Sequence, residues 1–243
     1  MEPARLLELQ AAAWGLGLGG DHLDRLLDFA RLLGTYDQAN VIGTRELRGI
    51  LLDHVLDSLS CFLFEPLVGA QRLADVGSGG GLPGIPLKIA RPTLQATLVE
   101  STGKKVRFLR HAVERLGLID GVEVLDGRVE EVARARGYRG EYDVVTARAV
   151  ARLSVVAEYC VPLLRVGGHV ISMKARLQAE ELSEGERAVE RLGAKVSEVL
   201  QVPHLPEVGQ KERRLVILEK VRDTPKEYPR KVGVPAKKPL GVV

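Results

Sequence analysis

The stretch Arg72-Leu-Ala-Asp-Val-Gly-Ser-Gly-Gly-Gly-Leu-Pro-Gly84, continuing as Ile85-Pro-Leu-Lys-Ile-Ala90, decides how the rest of the chain reads. A short β-rich run ends at Asp75-Val76, a glycine cluster follows, and an apolar segment comes next. Strand, hinge and helix start make a place where backbone can approach a ligand closely. Glycine permits positive φ and puts no Cβ in the way, while a helix N-terminus offers N–H groups with no partner in the helix. The pattern therefore predicts a nucleotide-like ligand at this turn.

Two glycine frames compete. Gly79-Gly-Gly-Leu-Pro-Gly84 fits the G-x-G-x-x-G dinucleotide pattern, which is weak when it stands alone. Pro83 and Pro86 oppose that frame, since they remove N–H groups where a pyrophosphate-binding helix should begin. Asp75, two residues before Gly77, places a carboxylate at the strand end, which suits a cationic ligand such as the amino group and sulfonium of S-adenosylmethionine. On these residues alone a methyl-donor pocket, a dinucleotide site and a purely structural turn all stay open.

The wider chain sets limits. Its 243 residues hold one α/β domain plus an extension, and 45% hydrophobic with 28% charged residues describes a soluble globular protein. No apolar run is long enough to span a bilayer, and the first 20 residues lack a basic leader, so the expectation is a cytoplasmic protein without a membrane partner. Cys61 and Cys160 form no metal or redox motif and read as buried thiols in a reducing compartment; no metal is expected. Of the net charge of +3, residues 220–243 carry +5 (seven Lys/Arg against two Asp/Glu). Pro225, Pro229, Pro235 and Pro239 interrupt that basic end, which predicts an extended, non-helical surface segment, either solvated or in contact with phosphates.

Residues 3–60 read as helical, with Leu23, Leu26, Leu27, Ala30 and Leu33 at helical spacing, and likewise Leu47, Ile50, Leu51, Val55 and Leu59. From residue 72 the rhythm changes. Strands are predicted over 72–76, 96–100, 122–125, 142–147 and 169–173, with helices near 104–116, 128–136, 151–165 and 177–192. That alternation predicts a mostly parallel sheet with helices on both faces. The final runs, 195–202 and 214–219, have no crossover helix between them and should pair as an antiparallel hairpin. The expected organisation is an N-terminal helical extension (1–65), a ligand-binding domain (66–220) and a basic Pro-rich C-terminal segment (221–243).

In such sheets the ligand lies at the carboxyl ends of the strands. Glu100 ends the second strand and is placed to accept ribose hydroxyls; Ser101 and Thr102 follow it. Asp126-Gly-Arg-Val-Glu130 after the third strand could frame a base, and Arg148 closes the fourth. Lys104, Lys105, Arg107, Arg110, Arg148, Arg152, Lys174 and Arg176, with the basic C-terminus, could track phosphates. Aromatic residues are only 4% of the chain, which argues against a stacking platform for several bases and for one flipped or looped base. The loop after strand four lacks the Asn/Asp-Pro-Pro-aromatic pattern of amino-group methylation, and neither cysteine is placed for attack on a pyrimidine. An acceptor that is already nucleophilic, such as a ring nitrogen, remains.

Five ordered motifs carry a family resemblance: Asn40-Val-Ile-Gly-Thr44, His54-Val-Leu-Asp-Ser-Leu59, Asp75 to Leu87, Gly103-Lys-Lys-Val-Arg-Phe-Leu109 and Tyr228-Pro-Arg-Lys-Val-Gly233. Together they resemble the glucose-inhibited division protein B family of bacterial 16S rRNA guanine-N7 methyltransferases, over about residues 20–240. The resemblance implies a Rossmann-like class I methyltransferase fold, S-adenosylmethionine as cofactor and N7 of a guanine in the 530-loop region as acceptor. The implied partner is 16S rRNA, the small ribosomal subunit or an assembly intermediate, met by a monomer. Carried over by motif, Gly77 and Leu82 contact the donor backbone, with Asp75 and Gly79 in the same loop. Glu100, Ser101 and Thr102 lie at the ribose, Val129 and Glu130 at the adenine, and Arg148 beside the methionine carboxylate or the incoming base. Arg148 and His54 are the candidates closest to the chemistry, and no general base is expected, because guanine N7 carries no proton to remove. Lys104, Lys105, Arg107, Arg152, Lys174, Arg230 and Lys231 are the expected RNA contacts. Two alternatives stay beside this reading, a nicotinamide-dependent oxidoreductase and a non-catalytic RNA-binding protein with a vestigial fold.

Overall fold

A computed structural model describes residues 2–204, 206–208 and 212–242. Seven strands form one sheet: β1 (Arg72–Val76), β2 (Gln95–Glu100), β3 (Val122–Asp126), β4 (Tyr142–Arg148), β5 (Leu164–Lys174), β6 (Ala194–Gln201) and β7 (Arg214–Lys220). Their order is β3-β2-β1-β4-β5-β7-β6. The first five are parallel, and β7 runs antiparallel to both β5 and β6, as the missing crossover helix requires. Between β6 and β7, residues 205 and 209–211 lie outside the described residues.

The N-terminal region is less continuous than its leucine spacing implies. Helices α1 (Pro3–Ala13) and α2 (Gly20–Thr35) are followed by an irregular stretch before α3 (Leu47–Ile50). The chain then winds as a wider π-turn through Leu51–Leu56, tightens into α4 (Asp57–Leu59) and a 3-10 turn at Ser60–Leu63, and reaches α5 (Pro66–Gly69). Glycines and the Asp37–Thr44 polar cluster supply the breaks. Leu26, Phe29, Leu33, Ile50 and Leu56 enter one continuous core with Leu73, Leu98 and Val144 of the sheet, so the first 65 residues cover one sheet face. Helices α6 (Gly84–Ala90) and α7 (Gly103–Arg115) complete that layer through Ile85 and Phe108.

The opposite face carries α8 (Val129–Val132), α9 (Leu153–Cys160) and α10 (Ala179–Leu192), packed on Val76, Val145, Val170 and Val216. Each large apolar side chain fully buried in these layers contributes about 1.5–3 kcal/mol. The helix expected at 128–136 is a single α turn continued by looser turns. The C-terminal expectation needs a larger correction: residues 234–237 form a short helix, α11 (Val234–Lys237), with Pro235 in its first turn. Proline is compatible there because the first helical N–H groups need no partner in the helix. Among the described residues no helix is long and apolar enough to cross a membrane.

Candidate active site

The glycine turn leaves β1 at the centre of the sheet, between β2 and β4. Gly77 and Ser78 donate N–H bonds to the Val99 carbonyl at 2.9 and 3.1 Å, which folds the turn back over β2. Gly77 sits at φ +68°, and a Cβ there would lie 3.0 Å from Val150 Cγ2. Gly81 sits at φ +80°, where a Cβ would come within 2.4 Å of Ile85 Cδ1. Both positions demand glycine, one for close approach over the cavity and one for packing against α6.

Asp75 does not face that cavity, contrary to the expectation for a strand-end carboxylate. It has no exposed surface. Its Oδ1 accepts the Thr146 hydroxyl at 2.9 Å and its Oδ2 accepts the Gly84 N–H at 3.2 Å. Burial pushes its carboxyl up to about 6, against the opposing pull of the Thr146 and Gly84 hydrogen bonds. The same contact removes the structural basis of the dinucleotide reading. The first N–H of α6 is spent on Asp75, and Pro83 and Pro86 have none to offer a pyrophosphate.

Beside the turn lies a cavity of about 300 Å³ lined by Gly77, Glu100, Ser101, Val129 and Glu130, all expected from the sequence. Arg128, within the Asp126–Glu130 stretch expected to frame a base, lines it too, and so do Val150, Tyr159 and Ala236, which were not foreseen as ligand contacts. Gly79, Leu82 and Thr102 shape the surrounding loop without lining the cavity. Glu100 Oε2 accepts the Gly79 N–H at 3.0 Å, and Oε1 accepts those of Ser101 and Thr102 at 2.9 and 2.8 Å. Oε2, with a single donor, keeps acceptor capacity for a hydroxyl. Glu130 is 1% exposed; its Oε1 accepts the Gly233 N–H at 2.9 Å, whereas Oε2 has no hydrogen-bond partner.

A second cavity, of about 250 Å³, shares Val150 and Ala151 with the first. Arg148, Lys174, Arg213 and Arg214 supply its cations, and Asp57 its carboxylate. Ala149, at φ +54°, is the one non-glycine residue with positive φ among the described residues, and it too lines this wall. Arg148 turns toward the N-terminal layer, with Nε 3.3 Å from Asp57 Oδ2 and Nη2 2.6 Å from His54 Nδ1 and 3.2 Å from the Asp53 carbonyl. The π-turn widens the helix there and presents the His54 and Asp53 carbonyls to it. With Nδ1 accepting from Arg148, the His54 ring proton sits on Nε2. Arg213 Nε donates to the other Asp57 oxygen at 3.2 Å. Burial raises the Asp57 carboxyl from its usual range, with Arg148 and Arg213 pulling the other way. His54, a candidate closest to the chemistry by sequence, thus contacts Arg148 together with Asp57 and holds its guanidinium in place.

The expected phosphate contacts divide. Lys104 and Arg107 of α7 and Lys231 of the C-terminal segment are exposed, and Lys105 of α7 is half-buried. Lys174 donates to Glu181 at 2.7 Å and to the Ala151 carbonyl at 2.6 Å, and Arg152 pairs with Glu184 at 2.7 Å. Arg230 is committed to Glu158, which has no exposed surface, so it anchors the C-terminal segment instead of reaching outward. Among the described residues no group of three or more His, Cys, Asp or Glu side chains is placed to hold a metal ion.

Comparison with known proteins agrees with this geometry. The family model described as "GidB: rRNA small subunit methyltransferase G" matches residues 22–215. A "Ribosomal RNA small subunit methyltransferase G" from Rubrobacter xylanophilus is 61% identical over 232 residues, covering 95% of this chain and 88% of that protein. The protein of the same name from Chloroflexus aggregans is 44% identical over 240 residues, covering 97% of this chain and 98% of its own length. Among solved structures, the S-adenosylmethionine-dependent methyltransferase SibL in its apo form superposes with a TM-score of 0.56 at 15% identity, over 83% of this chain and 73% of that one. That last likeness concerns the fold alone. With a matching model over most of the described chain and relatives of this identity along nearly its full length, the chain belongs to the rRNA small subunit methyltransferase G family.

Proposed function

We propose that this protein transfers the methyl group of S-adenosylmethionine to N7 of a guanine in the 530-loop region of 16S rRNA. The observation that carries the reading is the pair of adjoining cavities at the carboxyl ends of the strands. One is lined by glycine backbone and two buried carboxylates, and the other by four cationic side chains. The first fits a sulfonium nucleoside: a Cβ at Gly77 would crowd Val150 on its wall, Glu100 Oε2 can accept a ribose hydroxyl, and Glu130 Oε2, 3.6 Å from Arg128 Nε, is buried with no hydrogen bond. When bound, S-adenosylmethionine supplies an electrophilic methyl group.

The chain's own work is positioning. Guanine N7 has an in-plane lone pair and no proton, so no residue has to act as a base. Holding nucleophile, methyl and leaving group in line can contribute about 7–11 kcal/mol of barrier reduction. Arg148 suits this task because Asp57 and His54 fix its guanidinium from behind. Val150 and Ala151, shared by both cavities, form the partition across which the base and the donor meet. The exposed cations of α7 supply the sequence-independent attraction for the phosphate backbone.

The test is to map N7-methylguanine in 16S rRNA from cells with and without this protein, then restore it in vitro with purified protein and labelled donor. Loss of one N7-methyl mark in the 530 loop, restored by the protein, is the expected result. An unchanged methylation map would refute the assignment.

A further inference from the structure

The C-terminal segment, read from sequence as an extended surface tail, is folded back over α8 and α9 and enters the first cavity. Two buried carboxylates hold it. Glu158 accepts the Arg230 backbone N–H at 2.8 Å, its Nε at 2.9 Å and its Nη2 at 2.7 Å, and Glu130 accepts the Gly233 N–H. From the connection between α8 and β4, Arg139 donates to the carbonyls of Tyr228 and Thr224 at 2.7 and 2.9 Å, and Arg134 Nε donates to that of Pro229 at 2.8 Å. Prolines remove N–H donors from the stretch, so carbonyls that lack a local partner are met by these arginines. Farther on, Arg187 Nε donates to the Gly241 carbonyl at 2.8 Å and Leu240 is buried in the core. Between the anchors, Ala236 of α11 lines the same cavity as Gly77, Glu100 and Tyr159.

A carboxylate with no exposed surface is tolerable only with its cation in place, so docking of Arg230 on Glu158 belongs to the folded state. Glu130 serves cavity and segment at once, with one oxygen holding Gly233 while its side chain lines the cavity. We propose that residues 224–241 form a strap that walls the adenosine end of the donor pocket. The strap sets affinity for the sulfonium nucleoside and leaves RNA affinity to the cations of α7. Arg230 is then a positioning residue, acting through α11 and Glu130, and Ala236 is the strap's own contact. This inference rests on the donor reading given above.

The test uses the full chain and S-adenosylhomocysteine. Cys61 and Cys160 are buried, so a thiol placed by Ala236→Cys can be followed by its maleimide labelling rate, with Lys226→Cys as an exposed control on the same segment. Saturating S-adenosylhomocysteine should slow labelling at position 236 about tenfold and leave position 226 within about twofold. Arg230→Lys, which keeps the charge but loses the fork, should weaken S-adenosylhomocysteine about tenfold by calorimetry and leave the salt dependence of RNA binding unchanged. The strap proposal is overturned by a wild-type protein that binds S-adenosylhomocysteine while position 236 labels at the same rate. It is equally overturned if Arg230→Lys keeps wild-type affinity, or if RNA and not the nucleoside protects position 236. If the wild-type protein binds no S-adenosylhomocysteine, the donor reading itself fails and the strap proposal falls with it.

Discussion

Replacing Asp75 by Asn should stabilise the protein at neutral pH and barely alter it in acid. Burial raises the Asp75 carboxyl from 3.8 to about 6. At about 1.4 kcal/mol per unit, ionised Asp75 therefore disfavours the folded state by about 3 kcal/mol relative to its ionised form in the unfolded chain. The sign follows from the direction. A folded-state value above the unfolded one means that the carboxyl's contribution to stability is fully present below about pH 4 and is lost as pH rises through about 6. Asn is nearly isosteric. Its Oδ1 can accept the Gly84 N–H, and its Nδ2 can donate to Thr146 Oγ1, whose own proton has the Ala74 carbonyl 3.4 Å away. Urea unfolding should show Asp75→Asn ahead of wild type by up to about 3 kcal/mol near pH 7.5, the margin falling to about 1 kcal/mol near pH 4.5 and closing toward zero near pH 3. A difference that does not change with pH would refute the reasoning, as would destabilisation that grows toward neutral pH. The same variant separates the two placements of this carboxylate. Because Asp75 lies under the loop, S-adenosylhomocysteine affinity should stay within about twofold. Weakened binding with unchanged stability would return the carboxylate to the ligand.

Gly77→Val should cost about 1–2 kcal/mol of local strain at φ +68°, with its Cβ on Val150, and reduce S-adenosylhomocysteine binding at least about 100-fold while circular dichroism stays native; retained affinity would remove the turn from the donor site. Arg148→Lys loses the fork between Asp57 and His54, but Asp57 keeps Arg213 at 3.2 Å. Single-turnover methyl transfer should fall about 100-fold with only a small change in melting temperature, and an unchanged rate would reduce Arg148 to a structural part. Substituting Lys104, Lys105 and Arg107 together by Ala should lower the slope of log affinity for RNA against log salt by about two, with donor affinity unaffected; an unaltered slope would leave these cations as ordinary helix-face charges.

Much of the architecture was legible because it rests on period and punctuation. β1 occupies the predicted 72–76, and the missing crossover helix after residue 192 correctly implied the hairpin. Glu100, Ser101, Val129 and Glu130 line one cavity, as strand ends converging in a parallel sheet lead one to expect. Asp75 was misplaced for a physical reason. In a strand with neighbours on both sides and helices on both faces, a side chain before the turn is covered, and only backbone beyond it reaches the ligand. The Asp57–Arg213 pair joins positions 156 residues apart through the β6–β7 hairpin, and no spacing in the sequence encodes it. The C-terminal strap was illegible for a related reason. Arginine-to-carbonyl contacts from residues 134 and 139 to 224–229 leave no periodic trace, and proline content alone reads as extended.

The charges around the second cavity explain how one wall can attract RNA without hindering the proposed chemistry. Lys174 is matched by Glu181, while Arg148 and Arg213 share the single carboxylate of Asp57, and Arg214 is no closer than 3.9 Å to Glu212. The wall therefore carries a surplus of positive charge, which raises the local concentration of a phosphodiester chain. None of these cations has to move a proton, so each can be held rigidly by carboxylates and backbone carbonyls, as the contacts of Arg148 show. In the proposed reaction the sulfonium charge passes to the purine. A base that entered neutral then leaves cationic beside a cationic wall, so the arrangement that gathers the substrate also disfavours retention of the product. Asp57 moderates this effect. Its carboxylate lies between the two arginines, and burial already pushes it toward its neutral form. The N-terminal helical layer, packed against the sheet, thus supplies the carboxylate that offsets the cations of this cavity.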